Sequence, residues 1–401
     1  MRRTLTAALA ALVLLAACAA PAAPEPPAPA DPPAAEAPPD PPAPPAPPPP
    51  PEPTEEDLAA ARIDALLASM TLEEKVGQLF FVRCPASGAL EDVEAFHLGG
   101  YVLFGRDFQD AAGGWLTEAA FTEKVRSWQD AASVPLLIGV DEEGGSVVRA
   151  SRNPNLFPGG KFHSPQWLLR NGGGEAFARD AREKSQALLA LGINVNLAPV
   201  CDVSTDPGSF IYDRTLGLPA PETADYVTAV VSAMAESGIG SVLKHFPGYG
   251  DNADTHTGIA RDKRSLETFC ESDFLPFRAG MAAGEGTAAV LVSHNIVECL
   301  DPDLPASLSP AVHTTLRRAL GFEGVAMTDD LSMEAVAAYA AEGTAATLAL
   351  AAGNDLVVTS EYRTQIPRVL EDVENGTLPE EAVDAACRRV LTWKQALGLI
   401  P

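Results

Sequence analysis

The chain has 401 residues, with 28 Lys and Arg against 54 Asp and Glu and a formal net charge of −26. Acid excess on that scale excludes a nucleic-acid binder and a protein that grips anionic headgroups by charge, since both need clustered cations. At this size, one large α/β domain can bury a full core without disulfides or metal.

The first element is a leader. Met1-Arg2-Arg3 is basic, and Leu5 to Ala17 is apolar but too short to span a bilayer as a mature helix. Residues 1–17 read as a secretory signal peptide, whose removal would move the net charge to −28. Leu15-Ala16-Ala17-Cys18 resembles the bacterial lipobox. That resemblance implies cleavage before Cys18, a lipid on its thiol and an exported, membrane-anchored protein. Residues 19–53 follow and hold nineteen of the thirty-six prolines. Such a segment cannot bury a core and stays extended, a semi-rigid stalk of about 100 Å at most in polyproline II. Five Cys remain beyond Cys18 (Cys84, Cys201, Cys270, Cys299, Cys387), with no CxxC pair. An odd number without spacing reads as small buried hydrophobes, although export permits disulfides.

Residues 54–401 form the predicted folded domain. Strand-like runs fall at 77–82, 100–104, 136–140, 195–200, 241–243, 289–292, 324–327 and 355–358. Most are continuously apolar, as strands buried on both faces of a parallel sheet are. Helix-like runs lie between most of them, at 117–132, 174–191, 221–237, 265–283, 310–320 and 333–352, and 380–397 closes the chain. Eight βα units predict a single (β/α)8 TIM-type barrel. The alternative is an open doubly wound sheet, which lacks support from any GxGxxG or P-loop sequence.

A barrel gathers its chemistry where strands end. Asp141 and Glu142 follow the third strand, Asp202 the fourth, Lys244 and His245 the fifth, His294 the sixth, Asp329 and Asp330 the seventh. The densest stretch runs from Lys244 to His256 and holds one Lys, two His and two Asp. Of Asp329 and Asp330, only one can readily face the barrel mouth. The outward one could serve as nucleophile or base and its neighbour as a helix N-cap. Asp254-Thr255-His256 puts a carboxylate beside an imidazole, a pair able to move a proton near neutral pH. A metal site using His245, His256, His294 and Asp254 is the rival use, but no HxH or HExxH spacing supports it. No GxSxG elbow is present for a serine hydrolase.

Four segments together resemble the β-N-acetylglucosaminidases of glycoside hydrolase family 3. Asp141-Glu142-Glu143-Gly144-Gly145-Ser146-Val147-Val148-Arg149 resembles the D-x-E-G-G-x-V-x-R segment. Asp213-Arg214-Thr215-Leu216-Gly217 is similar to R-S-F-G, Lys244 to Gly248 to K-H-F-P-G, and Thr328 to Met333 to S-D-D-L-x-M. The resemblance implies that Asp141, Arg149, Arg214, Lys244 and His245 contact the sugar and that Asp329 is the nucleophile. It implies Asp254 and His256 as the acid/base dyad of this branch, in place of the second carboxylate most glycosidases use. Two features depart from the family loop K-H-F-P-G-H-G-D-x-x-x-D-S-H. Tyr249 stands where a His is common, and the spacer before Asp254 is one residue shorter.

The expectation is therefore a lipid-anchored, monomeric, retaining exo-β-N-acetylglucosaminidase needing no cofactor or metal. Its partner would be a β-GlcNAc-terminated saccharide, from peptidoglycan or chitin, and not nucleic acid. The alternatives are a β-glucosidase or β-xylosidase, a GlcNAc phosphorylase of the same family, and a non-catalytic sugar-binding lipoprotein.

Overall fold

A computed structural model describes residues 53–250, 260–340 and 344–401, and Pro53–Pro401 forms one compact unit. The leader, Cys18 and nearly all of the stalk lie outside the described residues, as do Asp254 and His256.

Seven strands make one parallel sheet: β1 (Phe81–Arg83), β2 (Gly100–Leu103), β3 (Leu137–Val140), β4 (Val195–Asn196), β5 (Gly240–Phe246), β7 (Ala288–Val292) and β9 (Ala326–Thr328). They pair in chain order, β5 with β7 and β7 with β9. The last segment closes the ring. Leu356 bridges Met327 of β9, and Val357 bridges Phe80 just before β1, both in parallel. The sheet is thus a closed eight-membered (β/α)8 barrel, as the alternating apolar runs predict. A separate two-stranded ladder joins β6 (Arg261–Asp262) to β8 (Ile296–Val297) above the barrel strands' ends.

The barrel strands are short and, apart from half-buried Arg83 at the end of β1, buried. All residues of β2, β3, β5 and β7 are buried, because helices cover the outer face and neighbouring strands fill the inner one. Long helices Glu118–Ala131, Gly173–Ala190, Ala220–Ser237 and Glu380–Ala396 form much of that cover. Two helices lie at the N-terminal side, Glu55–Ser69 and Leu72–Gln78. Each starts on a capping box, Thr54 with Asp57 and Thr71 with Glu74, in which side chain and backbone donors are satisfied reciprocally.

Several expected boundaries shift for identifiable reasons. The run 77–82 is not all strand: Gly77 and Gln78 end a helix, and the ladder begins at Phe81. The run 195–200 forms a continuous strand only at Val195 and Asn196 and returns as a single bridge from Val200 to Lys244, since Pro199 between them has no N–H for a ladder. In the opposite direction, β5 extends through Lys244-His245-Phe246. The run 355–358 contributes single bridges and no full strand. The run 265–283 breaks into Leu266–Glu271 and Phe274–Ala283, and 333–352 contains only Glu334–Ala337 and Ala345–Ala352 as helix. Of the five described Cys, three are buried and all are free, but Cys270 and Cys299 are exposed. The expectation of small buried hydrophobes therefore fails for those two.

Candidate active site

The barrel strands end in a cavity of about 420 Å3 lined by Asp141, Arg149, Arg214, Lys244, His245 and Asp329, among others. All the sugar contacts and the nucleophile implied by the family resemblance therefore share one concave space, although they span nearly two hundred positions of sequence.

Strand β5 supplies two adjacent members. Consecutive strand residues normally face opposite ways, yet Lys244 and His245 both line the cavity. The pairing of β5 with β7 shifts register between Leu243 and Phe246, and that irregularity re-aims the strand end. Lys244 is nearly fully buried. Its Nζ lies 2.6 Å from Asp141 Oδ1 and 2.7 Å from Glu143 Oε1. Burial alone would lower the ammonium pKa, but the two carboxylates outweigh it and hold the pKa above the ordinary lysine value.

Glu143 is the hub beneath the cavity. Its side chain is buried and pairs with both Lys244 and Arg214, the latter through two hydrogen bonds of 3.0 and 2.8 Å. Burial would push this carboxyl up, but the two cations beside it hold it well below the usual carboxylate range. Arg214 is raised in turn: burial opposes its charge, and the Glu143 carboxylate more than restores it. Sequence reasoning passed over Glu143 as a functional position. Its signal was its charge: three consecutive acids directly after an apolar strand run exceed what a simple turn needs.

The two glycines after it have separate reasons. Gly144 adopts φ +103°, and a Cβ there would stand 2.1 Å from the carbonyl oxygen of His163. Gly145 also has positive φ. The tight turn lets Val147 bond back to Glu143 and Gly144, returning the chain so that Arg149 reaches the cavity.

Glu142 has a structural part. It is fully buried, and one carboxylate oxygen accepts the N–H groups of Arg149, Ala150 and Ser151 at 2.9, 2.8 and 3.3 Å. It thereby holds the start of the helical turn Ala150–Arg152 and fixes the backbone that carries Arg149.

His245 is set by Asp202. Its Nδ1 lies 2.7 Å from Asp202 Oδ2, which also accepts the His245 backbone N–H at 3.1 Å. Arg214 can only donate, so its 3.1 Å contact with Nε2 makes Nε2 the acceptor and places the proton on Nδ1. Asp202 Oδ1 accepts the Tyr249 N–H at 2.7 Å. Tyr249 is buried and packs edge-on against His245, with ring centroids 5.0 Å apart, and against Phe210. The residue that departs from the family loop is thus part of the wall behind His245.

The expectation that only one of Asp329 and Asp330 can face the barrel mouth fails: both line the cavity, because β9 ends at Thr328 and the strand alternation does not reach them. Asp330 Oδ1 caps the following turn by accepting the Ser332 N–H at 2.9 Å. Asp329 follows β9 directly, and its own N–H donates to Val292 of β7. His294, one of the rival metal ligands, is buried away from any such role among the described residues. Its Nε2 donates to the Asp330 carbonyl at 3.0 Å, and its Nδ1 accepts from the Ser307 hydroxyl at 2.7 Å.

Both flanks of the segment that includes Asp254 and His256 are tied to Arg264. It donates to Gly248 O on one side and to Asp262 on the other, and pairs with buried Asp273 at 2.9 Å. Gly248 is required there: it has φ +124°, and a Cβ would sit 2.3 Å from Asp273 Oδ1.

Comparison with known proteins places this geometry. Residues 71–393 match the model of the glycosyl hydrolase family 3 N terminal domain. A Beta-hexosaminidase of Tolumonas auensis is 32% identical over 283 residues, covering 69% of this chain and 80% of that protein. Beta-hexosaminidase LpqI of Mycobacterium tuberculosis is 32% identical over 346 residues, covering 83% of this chain and 84% of that protein. Among solved structures, a family 3 beta-N-acetylglucosaminidase from Paenibacillus superposes with TM-score 0.74 at 30% identity, covering 82% of this chain and 63% of its own. A Beta-N-acetylhexosaminidase from Beutenbergia cavernae gives TM-score 0.70 at 30% identity, covering 82% and 99%. The chain is a glycoside hydrolase and belongs to family 3 of that class.

Proposed function

We propose that the protein is a retaining exo-β-N-acetylglucosaminidase that removes terminal GlcNAc from β-linked saccharides. One observation carries this reading: Asp329 lines the same cavity as Asp141, Arg149, Arg214, Lys244 and His245. A carboxylate facing a ring of hydroxyl-binding groups suits attack on an anomeric carbon.

In the proposed reaction, Asp329 attacks the anomeric carbon while the bond to the leaving oxygen breaks. His256, as imidazolium oriented by Asp254, gives its proton to that oxygen. The neutral imidazole then takes a proton from water, whose oxygen attacks the same carbon and frees Asp329. Lys244, Arg214 and Asp141 hold the sugar hydroxyls, with Glu143 and Asp202 fixing the donors from behind.

We also propose that Cys18 carries lipid, and that residues 19–53 hold a monomeric catalytic domain off the outer side of a membrane. Peptidoglycan fragments suit a tethered enzyme better than soluble chitin oligosaccharides, because a stalk of bounded reach serves a fixed polymer nearby. The support is the sequence alone: a short apolar leader, a Cys among small residues and a proline-rich linker.

Asp329→Asn tests the reaction. It should lower turnover of an aryl β-GlcNAc by at least about 10³-fold while leaving the thermal midpoint within a few degrees. Near wild-type turnover in this variant would remove Asp329 from the mechanism. Running the assay with and without phosphate, and with aryl glucoside and xyloside, tests the reaction type and sugar preference together.

A further inference from the structure

Helix Gly173–Ala190, on the outside of the barrel, carries a lysine on its buried face. The Lys184 side chain is only 9% exposed. Placing an ammonium there costs desolvation that an apolar side chain of similar size would not incur. Its Nζ has specific partners instead. It lies 3.1 Å from Asp180 Oδ2, one turn earlier in the helix. It donates to the Glu143 carbonyl oxygen at 3.2 Å and stands 5.1 Å from the centre of the Phe162 ring.

Both contacts outside the helix converge on one turn. Glu143 carries the carboxylate that holds Lys244 and Arg214. Phe162 accepts the Gly145 N–H at 2.9 Å and so grips the same turn two residues on. The preceding peptide is held separately: Asn196 accepts the Glu142 N–H at 3.0 Å and donates to the Glu142 carbonyl at 3.1 Å. Close packing does not fix the Glu143 peptide from behind, because a cavity of about 20 Å3 lies there, lined by Glu143, Asp180, Lys184, Ser185 and Asn196 among others. A charged donor on the Glu143 carbonyl supplies the restraint that packing does not.

We propose that Lys184, held in place by Asp180, is a positioning residue that fixes the Glu143 peptide and so aims the Glu143 carboxylate at Lys244 and Arg214. The proposal rests on the reading of the barrel-mouth cavity as a sugar site. Lys184 does not line that cavity, so it reaches a sugar only through Glu143 and the two cations. Charge-assisted hydrogen bonds weaken steeply with angle, and a small rotation of the Glu143 peptide would swing both carboxylate oxygens off their donors. The loss would then fall on sugar binding and not on the attack by Asp329.

Calorimetric binding of GlcNAc, glucose and xylose to the Asp329→Asn protein reads this effect without turnover. Adding Lys184→Met should weaken binding of the preferred sugar about tenfold, and Lys184→Arg, which keeps the charge and the donors, should restore most of it. With Glu143→Gln already present, Lys184→Met should cost less than about twofold more, because the carboxylate it aims is gone. With Asp329 intact, the loss on an aryl β-GlcNAc should fall on KM, with kcat within about twofold. Asp180→Asn releases Lys184 without stranding a buried carboxylate. It should give a smaller loss of the same kind, and it carries the test if Lys184→Met does not fold. Unchanged sugar affinity in either folded variant, equal losses with and without the Glu143 carboxylate, or no affinity for any of these sugars in the parent protein overturns the positioning role. If a sugar binds with the expected ratios but the wild type does not turn over β-GlcNAc, the proposed activity fails and the positioning role stands.

Discussion

Glu143 pairs with Lys244 across 2.7 Å and at the same time grips Arg214, yet it is not among the residues lining the cavity. It therefore acts on substrate only through the two cations it holds. Glu143→Gln keeps the volume and removes the charge. The protein should lose about 3 kcal/mol of stability, because two buried cations lose their shared partner. Its kcat/KM should fall roughly 10- to 100-fold, mainly through KM. Denaturant titration and steady-state kinetics check both. A loss confined to kcat would mean that Glu143 takes part in the chemistry.

Asp202 does the same for His245. Its two oxygens face three donors, the His245 N–H, the His245 Nδ1–H and the Tyr249 N–H. Asparagine has only one accepting atom there, so Asp202→Asn must abandon one side. The expected cost is about 2 kcal/mol of stability. A KM increase of roughly tenfold or more should accompany it, since the imidazole is no longer held in one tautomer and orientation. Kinetics on an aryl β-GlcNAc across pH 5–9 should show the KM change at every pH. Unchanged KM would separate Asp202 from substrate binding.

How far the sequence led is clear from these residues. The barrel was legible because a parallel sheet buries both faces, and its strands therefore read as unbroken apolar runs between amphipathic helices. Asp141, Lys244 and Asp329 were legible because charge directly after an apolar run has no packing use. Glu143 and Asp202 were harder. Both are charges that contact other side chains, 101 positions away for Glu143 and Lys244 and 43 for Asp202 and His245, and such pairings exist only once the barrel closes. Lys184 was invisible for another reason. It sits inside a helix without any motif around it, and the carbonyl it holds lies 41 positions away. Strand ends at 77–82 and 195–200 were misplaced because hydropathy does not say where hydrogen bonding begins.

Arg264 links the flanks of the segment proposed to carry the acid/base, residues 251–259. Replacing it by Met removes the donor to Gly248 O and leaves the buried carboxylates of Asp262 and Asp273 facing each other without their cation. Burial already raises the Asp273 carboxyl to about 6, with Arg264 opposing the rise. Without Arg264 this carboxyl should protonate more readily. Stability should fall by about 3 kcal/mol at pH 7 and recover in part as the pH drops toward 5, because protonation then relieves the unpaired charge. Turnover should fall roughly tenfold, with KM nearly unchanged, if residues 251–259 supply the acid/base as proposed. An equal fall in kcat/KM through KM alone would assign Arg264 to the binding wall.

Lys394 lies far from the chemistry and should govern stability above neutral pH. It is fully buried in the closing helix, and its Nζ lies 2.6 Å from Gln78 Oε1. Burial lowers its pKa from 10.5 to about 7. Between those values the unfolded chain holds a proton that the folded protein does not. Stability should therefore rise with pH from about 7 toward 10, and the full penalty should be in place below 7. A single group of this kind contributes a slope of about 1.4 kcal/mol per pH unit. Lys394→Met removes the titration and leaves Gln78 Oε1 unpaired, at a cost of about 1 kcal/mol that does not depend on pH. Urea unfolding at pH 7.5, 8.5 and 9.5 should thus give a steeper rise for wild type than for Lys394→Met. Parallel lines would show that Lys394 stays charged inside the protein, and its contact with Gln78 would then be a charge-assisted hydrogen bond.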